Sequence, residues 1–331
     1  MGYPQRSSTS TGRVCSGANN VASPCCLSLT SVNSDLRSRY LELVRRDVTR
    51  YGIDDLVPVE FLVFGRNVLK ARNLMLVRRR PFDPRKRDLG EDCAVDGETM
   101  IGMHRLTSLQ RCVESVLADD VPGDLVECGV WRGGASILMR AVLAAYDDKT
   151  RCVWLADSFA GCPRPDTANY RADAELRFDR FAGMAVSESQ VRANFERYGL
   201  LDDQVRFLPG WFKDTLPGAP IDRIALLRLD GDLYESTIQA LDALYPRLSP
   251  GGFCIIDDYQ TIAACRQAVT DYRAEHRITE EIFEVDTCGP VSSGRPPALE
   301  TVGRTGMSGW MQDQNDLYGS GRCGGVLWRK S

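Results

Sequence analysis

The stretch that most constrains this fold is residues 124–136, which read Asp-Leu-Val-Glu-Cys-Gly-Val-Trp-Arg-Gly-Gly-Ala-Ser. A short apolar run reaches an acidic residue, Glu127, and Gly129, Gly133 and Gly134 then break the chain into a turn. Apolar side chains recur at helical spacing after the turn. The pattern therefore predicts strand, glycine-rich turn and helix, which is the opening unit of a doubly wound α/β domain.

The spacing of this turn bears on its ligand. Glycines let the backbone approach a ligand closely, and the free N–H groups at a helix start favour polar or anionic groups. The pattern is E-x-G-x-x-x-G-G rather than the G-x-G-x-x-G that is typical of dinucleotide sites. We therefore expect the nucleoside end of S-adenosylmethionine here. A tight turn without a ligand is the alternative.

Length and composition bound the protein class. A chain of 331 residues can hold one large α/β domain with extensions. No apolar run approaches the ~20 residues of a membrane span, and the N-terminus has no secretory apolar region, so we expect a cytoplasmic protein without a membrane partner. Organelle targeting by the Ser/Thr-rich start, which has no acid before Asp35, is the alternative. The twelve cysteines show no C-x-x-C spacing, which favours reduced thiols over zinc or disulfides.

The remaining patterns divide the chain into three parts. Residues 1–33 are polar and aperiodic and are expected to be a disordered tail. Residues 34–120 are expected to form a helical cap, with helices from Ser34, over residues 59–77 and before the first strand. Residues 121–331 are expected to form the main domain. Basic clusters at 78–80 and 85–87 lack interleaved aromatics, so we predict a solvated face and no nucleic-acid partner.

Further apolar runs predict the rest of the sheet. Runs at 152–156, 205–208, 224–229 and 253–256 are nearly continuous, as in parallel strands that are covered on both faces. We predict a doubly wound, mostly parallel, seven-stranded sheet whose last two strands form an antiparallel hairpin. The stretch between those two strands is long and rich in Gly and Ser, so we expect a flexible insertion at about 287–322. A lid or a partner-binding loop is the alternative.

The residues that follow these strands are the binding candidates, because ligands of open α/β sheets lie at the carboxyl ends of the strands. Asp157 is placed to accept hydrogen bonds from ribose hydroxyls; capping the next turn is its alternative. Trp211, Phe212 and Asp214 could contact an adenine ring. The long connection 158–186 is expected to be a lid or binding loop. Thr99 and Met100 enter near the same crevice, where simple packing is the alternative.

Three acids predict a metal site. Asp230 follows the fourth strand, and Asp257 and Asp258 follow the fifth. Neighbouring strands would bring the three carboxylates together, and unpaired buried carboxylates repel one another at high cost. A hard divalent cation with oxygen ligands relieves that repulsion, which favours Mg²⁺. Helix capping by these aspartates is the alternative.

Five motifs occur in order: Glu-Thr-Met-Ile-Gly, Glu-Cys-Gly-Val-Trp-Arg-Gly-Gly, Ala-Asp-Ser-Phe-Ala-Gly, Leu-Asp-Gly-Asp-Leu-Tyr-Glu-Ser and Ile-Asp-Asp-Tyr. They resemble the macrocin O-methyltransferase family of class I S-adenosylmethionine-dependent methyltransferases. The resemblance implies Mg²⁺-dependent methylation of sugar hydroxyls in bacterial natural products. It implies that Asp230, Asp257 and Asp258 are metal ligands and that Glu127, Gly129, Asp157 and Ser158 line the cofactor site. Ser136, Gly210 and Asp230 complete the expected cofactor set. Glu98 stands where the family often has His.

The expected reaction transfers a methyl group from the cofactor to a hydroxyl of a small-molecule acceptor, a glycoside or polyol. Mg²⁺ would lower the pKa of that hydroxyl, and Asp230 is the candidate for taking its proton. A homo-oligomer is possible from the sequence. The alternatives are a metal-dependent catechol methyltransferase, a non-enzymatic S-adenosylmethionine-binding protein, and an NAD-dependent dehydrogenase. The last is disfavoured by the missing G-x-G-x-x-G.

Overall fold

The computed structural model describes residues 24–59, 72–285, 289–290 and 324–331. The chain divides into two compact units, Met1–Arg39 and Tyr40–Ser331, so residues 40–120 belong to the same unit as the sheet. Most of the predicted tail and of the predicted insertion at 287–322 lies outside the described residues. No helix within the described ranges is long and apolar enough to cross a lipid bilayer.

The first helix is longer than the sequence pattern predicts. Helix α1 spans Pro24–Val48, so it begins ten residues before the expected cap at Ser34. Proline is well tolerated in the first turn of a helix, where its missing N–H has no partner to lose. Leu41, Val44 and Val48 are buried at its end. The start of α1 therefore corrects the prediction that all of residues 1–33 lack regular structure.

A β-hairpin replaces part of the second predicted helix. Strands β1 (Asp55–Pro58) and β2 (Val77–Arg80) pair antiparallel. Residues 60–71 of that predicted helix (59–77) lie outside the described residues, and residues 72–76 form a turn and irregular chain that lead into β2 rather than a helix. The short helix α2 (Pro84–Leu89) follows, and Asp83 caps it by accepting from the N–H groups of its first turn.

The basic clusters are not the uniformly solvated face that the sequence suggests. Arg79 is exposed and pairs with Asp54, but Arg87 is buried. The guanidinium of Arg87 pairs with Asp92 at 2.9 Å and Asp55 at 3.4 Å and donates to the carbonyl of Arg50 at 2.9 Å. Burial is possible because carboxylates and carbonyls satisfy the charge on several sides.

Among the described residues, eight strands form the main sheet in the order β5-β4-β3-β6-β7-β10-β8-β9. They are β3 (Asp124–Cys128), β4 (Val153–Asp157), β5 (Val205–Pro209), β6 (Ile224–Leu229), β7 (Leu248–Ile256), β8 (Phe283–Glu284), β9 (Gly289–Pro290) and β10 (Val326–Arg329). The first five are parallel, and β10 lies antiparallel between β7 and β8. The predicted doubly wound, mostly parallel fold is confirmed, and two-residue β9 extends its edge beyond the seven expected strands.

Helices cover both faces of this sheet. They are α3 (Met103–Ala118), α4 (Gly134–Ala145), α5 (Glu188–Arg197), α6 (Phe212–Thr215), α7 (Tyr234–Leu244) and α8 (Ala263–Glu275). Side chains alternate between the faces along each strand. Leu125 of β3 joins the apolar cluster with α3, α4 and α5, whereas Val126 joins the cluster with α7 and α8. The two cores fix the sheet between two helical layers.

The strand register sets the position of the candidate site. Cys128 is level with Ala156 of β4 on one side and with Leu229 of β6 on the other. Leu229 is in turn level with Ile256 of β7. The residues that follow β3, β4, β6 and β7 therefore emerge at the same edge of the sheet.

Candidate active site

A cavity of about 710 Å³ opens at this carboxyl edge. Its volume is in the range of small-molecule sites. The wall includes ten of the residues that the sequence singles out: Met100, Gly129, Asp157, Ser158, Gly210, Trp211, Phe212, Asp230, Asp257 and Asp258. The cavity thus joins the glycine-rich turn to the predicted metal ligands.

Four other candidates do not lie on the cavity wall. Glu127 and Ser136 are buried, and the Ser136 hydroxyl donates to the Glu127 carboxylate. The Thr99 hydroxyl is also buried and accepts from the Ile101 N–H at 3.3 Å. Asp214 is exposed in α6. Direct contact between these four residues and the cofactor remains a prediction. In the structure, Glu127 and Ser136 are hydrogen-bonded to each other.

Gly129 lets the turn after β3 pass close to the end of β6. Its φ is +84°, and a Cβ atom there would lie 1.8 Å from the Asp230 carbonyl oxygen. The Asp230 N–H donates to the Cys128 carbonyl at 2.8 Å. Only glycine meets both demands. The close approach therefore holds Asp230 beside the turn that is expected to bind the cofactor.

Asp157 joins two turns. Its carboxylate accepts from the N–H of Val130, in the turn after β3, and from the N–H of Phe159, each at 2.8 Å. Burial raises the pKa of Asp157, and these backbone donors oppose the rise. The turn-capping role that the sequence left open is present. Because Asp157 also lines the cavity, ribose binding remains compatible with it.

The acidic triad, Asp230, Asp257 and Asp258, converges as predicted. One carboxylate oxygen from each lies within 4.8 Å of the others. Asp257 and Asp258 are buried, whereas 28% of the Asp230 side chain is exposed. The set is all-oxygen and lines a cavity with room for water and ligand, which fits Mg²⁺.

A buried arginine lies among these acids. Arg228, in the middle of the sheet, is only 2% exposed. Its guanidinium lies 2.5 Å from Glu127 Oε1, 3.0 Å from Asp230 Oδ2 and 2.7 Å from Asp257 Oδ1. A second guanidinium, from Arg105 of α3, lies 2.5 Å from Asp257 Oδ2. Neither arginine was among the candidates from the sequence.

The charges of this cluster leave room for a cation. Four carboxylates, those of the triad and Glu127, face two guanidinium groups, so two negative charges remain. Burial raises the pKa of Glu127 to about 7. Burial and the neighbouring carboxylates raise the pKa of Asp258 well above its ordinary value. One divalent cation would neutralise the excess and lower these pKa values.

The connection 158–186 reaches the triad from the far side of β4. Cys162 lines the cavity, and its thiol donates to Asp232 Oδ2 at 3.6 Å. The Asp232 N–H in turn faces Asp258 Oδ2 at 3.4 Å. Burial, with the Asp230 charge, raises the pKa of Asp232 to about 8. This connection is part of the cavity wall, as the prediction of a binding loop requires.

Asp173 fixes the same connection to helix α7. It is fully buried, and its carboxylate accepts from the N–H groups of Tyr234 at 2.7 Å and Glu235 at 3.0 Å. A carboxylate at a helix N-terminus satisfies donors that have no partner within the helix and complements the helix dipole. The long connection thus caps a helix that lies about sixty residues later in the sequence.

Glu98, where the resemblance leads one to expect His, is buried away from the cavity wall. Its carboxylate pairs with Arg197 at 2.6 Å and Arg50 at 3.0 Å and accepts from the Tyr198 hydroxyl at 3.0 Å. These partners belong to α5 and to the turn after α1. Glu98 therefore joins structural elements in this chain.

Comparisons with known proteins agree with this architecture. A family model described as macrocin-O-methyltransferase (TylF) matches residues 37–291. A relative from Streptomyces olivaceus, 8-demethyl-8-(2,3-dimethoxy-α-L-rhamnosyl)-tetracenomycin-C 4'-O-methyltransferase, is 54% identical over 259 residues, which are 78% of this chain and 93% of that protein. Mycinamicin III 3''-O-methyltransferase from Micromonospora griseorubida is 49% identical over 253 residues, 76% of this chain and 94% of that protein.

A solved structure is similar as well. The O-methyltransferase NovP superposes with a TM-score of 0.70 at 39% sequence identity. The match covers 89% of this chain and 99% of that one.

Proposed function

Because this chain belongs to the TylF family of macrocin O-methyltransferases, we propose that it methylates a sugar hydroxyl of a glycosylated small molecule with the help of Mg²⁺. S-adenosylmethionine-dependent O-methyl transfer follows from the family. The rhamnosyl group in the name of the Streptomyces relative supports a glycoside as acceptor. A divalent cation at the acidic triad is the finer part of the proposal.

The observation that carries the proposal is the acidic triad beside the glycine-rich turn. Its carboxylate oxygens lie within 4.8 Å of one another on the same cavity wall as Gly129. That arrangement suits a reaction in which a methyl donor and an acceptor oxygen must meet in line. Positioning of this kind can supply much of a rate enhancement.

The residues of the cavity would divide the work. The backbone turn at Gly129, with Asp157, Ser158 and Trp211, would hold S-adenosylmethionine. Asp230, Asp257 and Asp258 would hold Mg²⁺. When bound, the two groups supply an electrophilic methyl sulfonium and a Lewis acid that acidifies a hydroxyl.

Asp230 is the proposed proton acceptor. It is the most exposed carboxylate of the triad, and it lies beside the turn at Gly129. In the metal-free site, burial and the Asp257 charge raise its pKa. The 3.0 Å contact with Arg228 orients it.

The test combines acceptor screening with removal of the metal. Purified protein is given labelled S-adenosylmethionine and panels of glycosides and catechols, with Mg²⁺ or with chelator. We expect glycoside methylation that falls by about 100-fold or more in chelator and in the double variant Asp257→Asn/Asp258→Asn. Asp203→Asn, at an exposed position just before β5 and outside the cavity wall, is the matched control.

Other outcomes would replace the proposal. Full activity in chelator would refute the metal role, and a preference for catechols would favour the catechol-type alternative. Binding of S-adenosylhomocysteine without methylation of any polyol would indicate a non-enzymatic protein. A homo-oligomer and the lack of a nucleic-acid partner remain predictions from the sequence.

A further inference from the structure

The first turn of helix α7 forms a wall of the cavity that the proposed chemistry does not use. Glu235, Ser236 and Gln239 line it, directly after the turn that carries Asp230. Glu235 and Gln239 are four residues apart, so their side chains share one face of the helix. Cys162 and Arg164 of the connection 158–186 line the same cavity.

Glu235 is buried on this wall with an incomplete set of partners. The residue is 8% exposed, and its Oε1 accepts from Gln239 Nε2 at 3.0 Å. Within the described part of the chain, no ion pair reaches this carboxylate and no donor reaches its Oε2. A carboxylate can only accept, so Glu235 Oε2 is able to accept a hydrogen bond from a group in the cavity that Glu235 lines. A ligand group that donates a hydrogen bond would give this oxygen a partner.

The backbone at Glu235 is fixed independently of any ligand. Asp173 accepts from the Glu235 N–H at 3.0 Å and from the neighbouring Tyr234 N–H at 2.7 Å. Gln239 restrains the side chain from the next turn. The carboxylate is thus preorganised towards the cavity, which lowers the entropic cost of binding.

The charge of the surrounding wall selects the kind of ligand. Asp232 and the acidic triad line the same cavity as Glu235. Lys86, Arg105, Arg164 and Lys213 line the cavity as well, but a phosphate or carboxylate placed against Glu235 itself would meet like charge and a desolvation cost. A neutral group with several O–H donors avoids both the like-charge repulsion and the desolvation cost.

We propose that Glu235 is a specificity-determining residue that accepts a hydrogen bond from a second sugar hydroxyl of the acceptor, one that is not methylated. Gln239 is the positioning residue that holds the Glu235 carboxylate. The inference rests on the proposed function, since it assumes a glycoside acceptor. It adds the requirement that the sugar offer at least two free hydroxyls at this site.

The test compares Glu235→Gln and Gln239→Leu with the wild-type enzyme. Asp242→Asn, an exposed acid on the same helix outside the cavity wall, is the control. We expect Glu235→Gln to raise the acceptor KM by about 10-fold or more, because a hydrogen bond to a charged group is lost. Gln239→Leu should raise it less. The dissociation constant of S-adenosylhomocysteine, measured by calorimetry, should change less than about twofold in both.

A series of singly deoxygenated acceptors identifies the hydroxyl. One analogue lacks the methylated hydroxyl and cannot react. The wild-type enzyme should discriminate against one further analogue, and Glu235→Gln should no longer distinguish that analogue from the complete acceptor. Unchanged acceptor KM in both variants would overturn the proposal, and so would an equal loss of S-adenosylhomocysteine affinity. If the wild-type enzyme methylates no glycoside, the proposed function itself fails. That outcome differs from one in which the wild-type enzyme is active and the variants keep its acceptor KM.

Discussion

The guanidinium of Arg228 lies 2.7 Å from Asp257 Oδ1, and both residues are almost completely buried. The same guanidinium contacts Glu127 and Asp230, so one cation holds three carboxylates from three neighbouring strands. A buried charge that loses its partner is strongly destabilising. Arg228 is therefore central to the stability of the acidic edge of the sheet.

Arg228→Met should destabilise the protein. We expect a loss of about 3–5 kcal/mol in the free energy of unfolding, because three carboxylates, two of them buried, lose their counter-charge. Urea unfolding measures the change. Arg206→Met, at an exposed position on β5, is the control and should stay within about 0.5 kcal/mol of the wild type. Equal stability of the two variants would contradict the account.

Asp258→Asn should separate metal binding from stability. Arg228 touches Asp230 and Asp257 but is not bonded to Asp258, whose pKa is raised by burial and by neighbouring carboxylates. Removing this charge in chelator should stabilise the fold by about 1 kcal/mol or more. Mn²⁺ affinity, measured by paramagnetic resonance, should fall about 10-fold or more. Unchanged Mn²⁺ affinity would exclude Asp258 as a ligand.

Glu127 should make stability depend on pH in metal-free protein. Burial raises its folded-state pKa from 4.5 to about 7. A raised pKa means that the favourable contribution of the protonated group is full below about pH 4.5 and is lost as the pH rises to about 7. The loss is roughly 3 kcal/mol. The difference between wild-type and Glu127→Gln unfolding free energies in chelator isolates it, and a difference that is flat over this window would contradict the prediction.

Gly129→Ala should disrupt the site through the backbone. The added Cβ would lie 1.8 Å from the Asp230 carbonyl oxygen, at a φ of +84°. We expect a loss of about 3 kcal/mol or more in stability and of S-adenosylhomocysteine binding in the folded fraction. Gly218→Ala is the matched control, because no atom of the described residues lies within 4 Å of a Cβ there. Titration calorimetry with S-adenosylhomocysteine at low temperature would show whether binding is lost together with stability.

Asp173→Asn should loosen the connection 158–186 from helix α7. The two N–H groups meet different oxygens of the Asp173 carboxylate, so an amide would place its NH₂ group, a donor, against one of them and would carry no charge for the helix dipole. We expect a stability loss of about 1–2 kcal/mol and a higher acceptor KM. Asp179→Asn, at an exposed position of the same connection, provides the comparison. An acceptor KM equal to that of this control would show that Asp173 does not affect acceptor binding.

The acidic triad could be predicted from sequence because its position depends on a general property of parallel sheets. Asp230, Asp257 and Asp258 follow apolar runs, and the carboxyl ends of such strands share one edge. The same reasoning placed Gly129 and Asp157. Predicting these positions requires only the order of the strands and helices along the chain and a regular register between parallel strands.

Residues whose roles depend on distant partners were missed. Arg228 stands inside an apolar run, and the available signal was its charge in a strand expected to be buried on both faces. In the structure it lies level with Glu127 of the adjacent strand, which explains the tolerance of that charge. Asp173 and Arg105 gave no local signal at all, because their partners lie 61 and 152 residues away in sequence. Periodicity carries no information about such contacts.

The cap of helix α7 by Asp173 has a consequence for exchanging parts between relatives. The Asp173 carboxylate links the crossover between β4 and α5 to helix α7, which carries Glu235. We expect that the parts of this crossover other than Cys162 and Asp173 can change in length or composition while the acidic edge of the sheet keeps its partners. Chimeras that graft a foreign crossover should therefore retain an aspartate at position 173, so that new acceptor preferences are grafted onto unchanged chemistry.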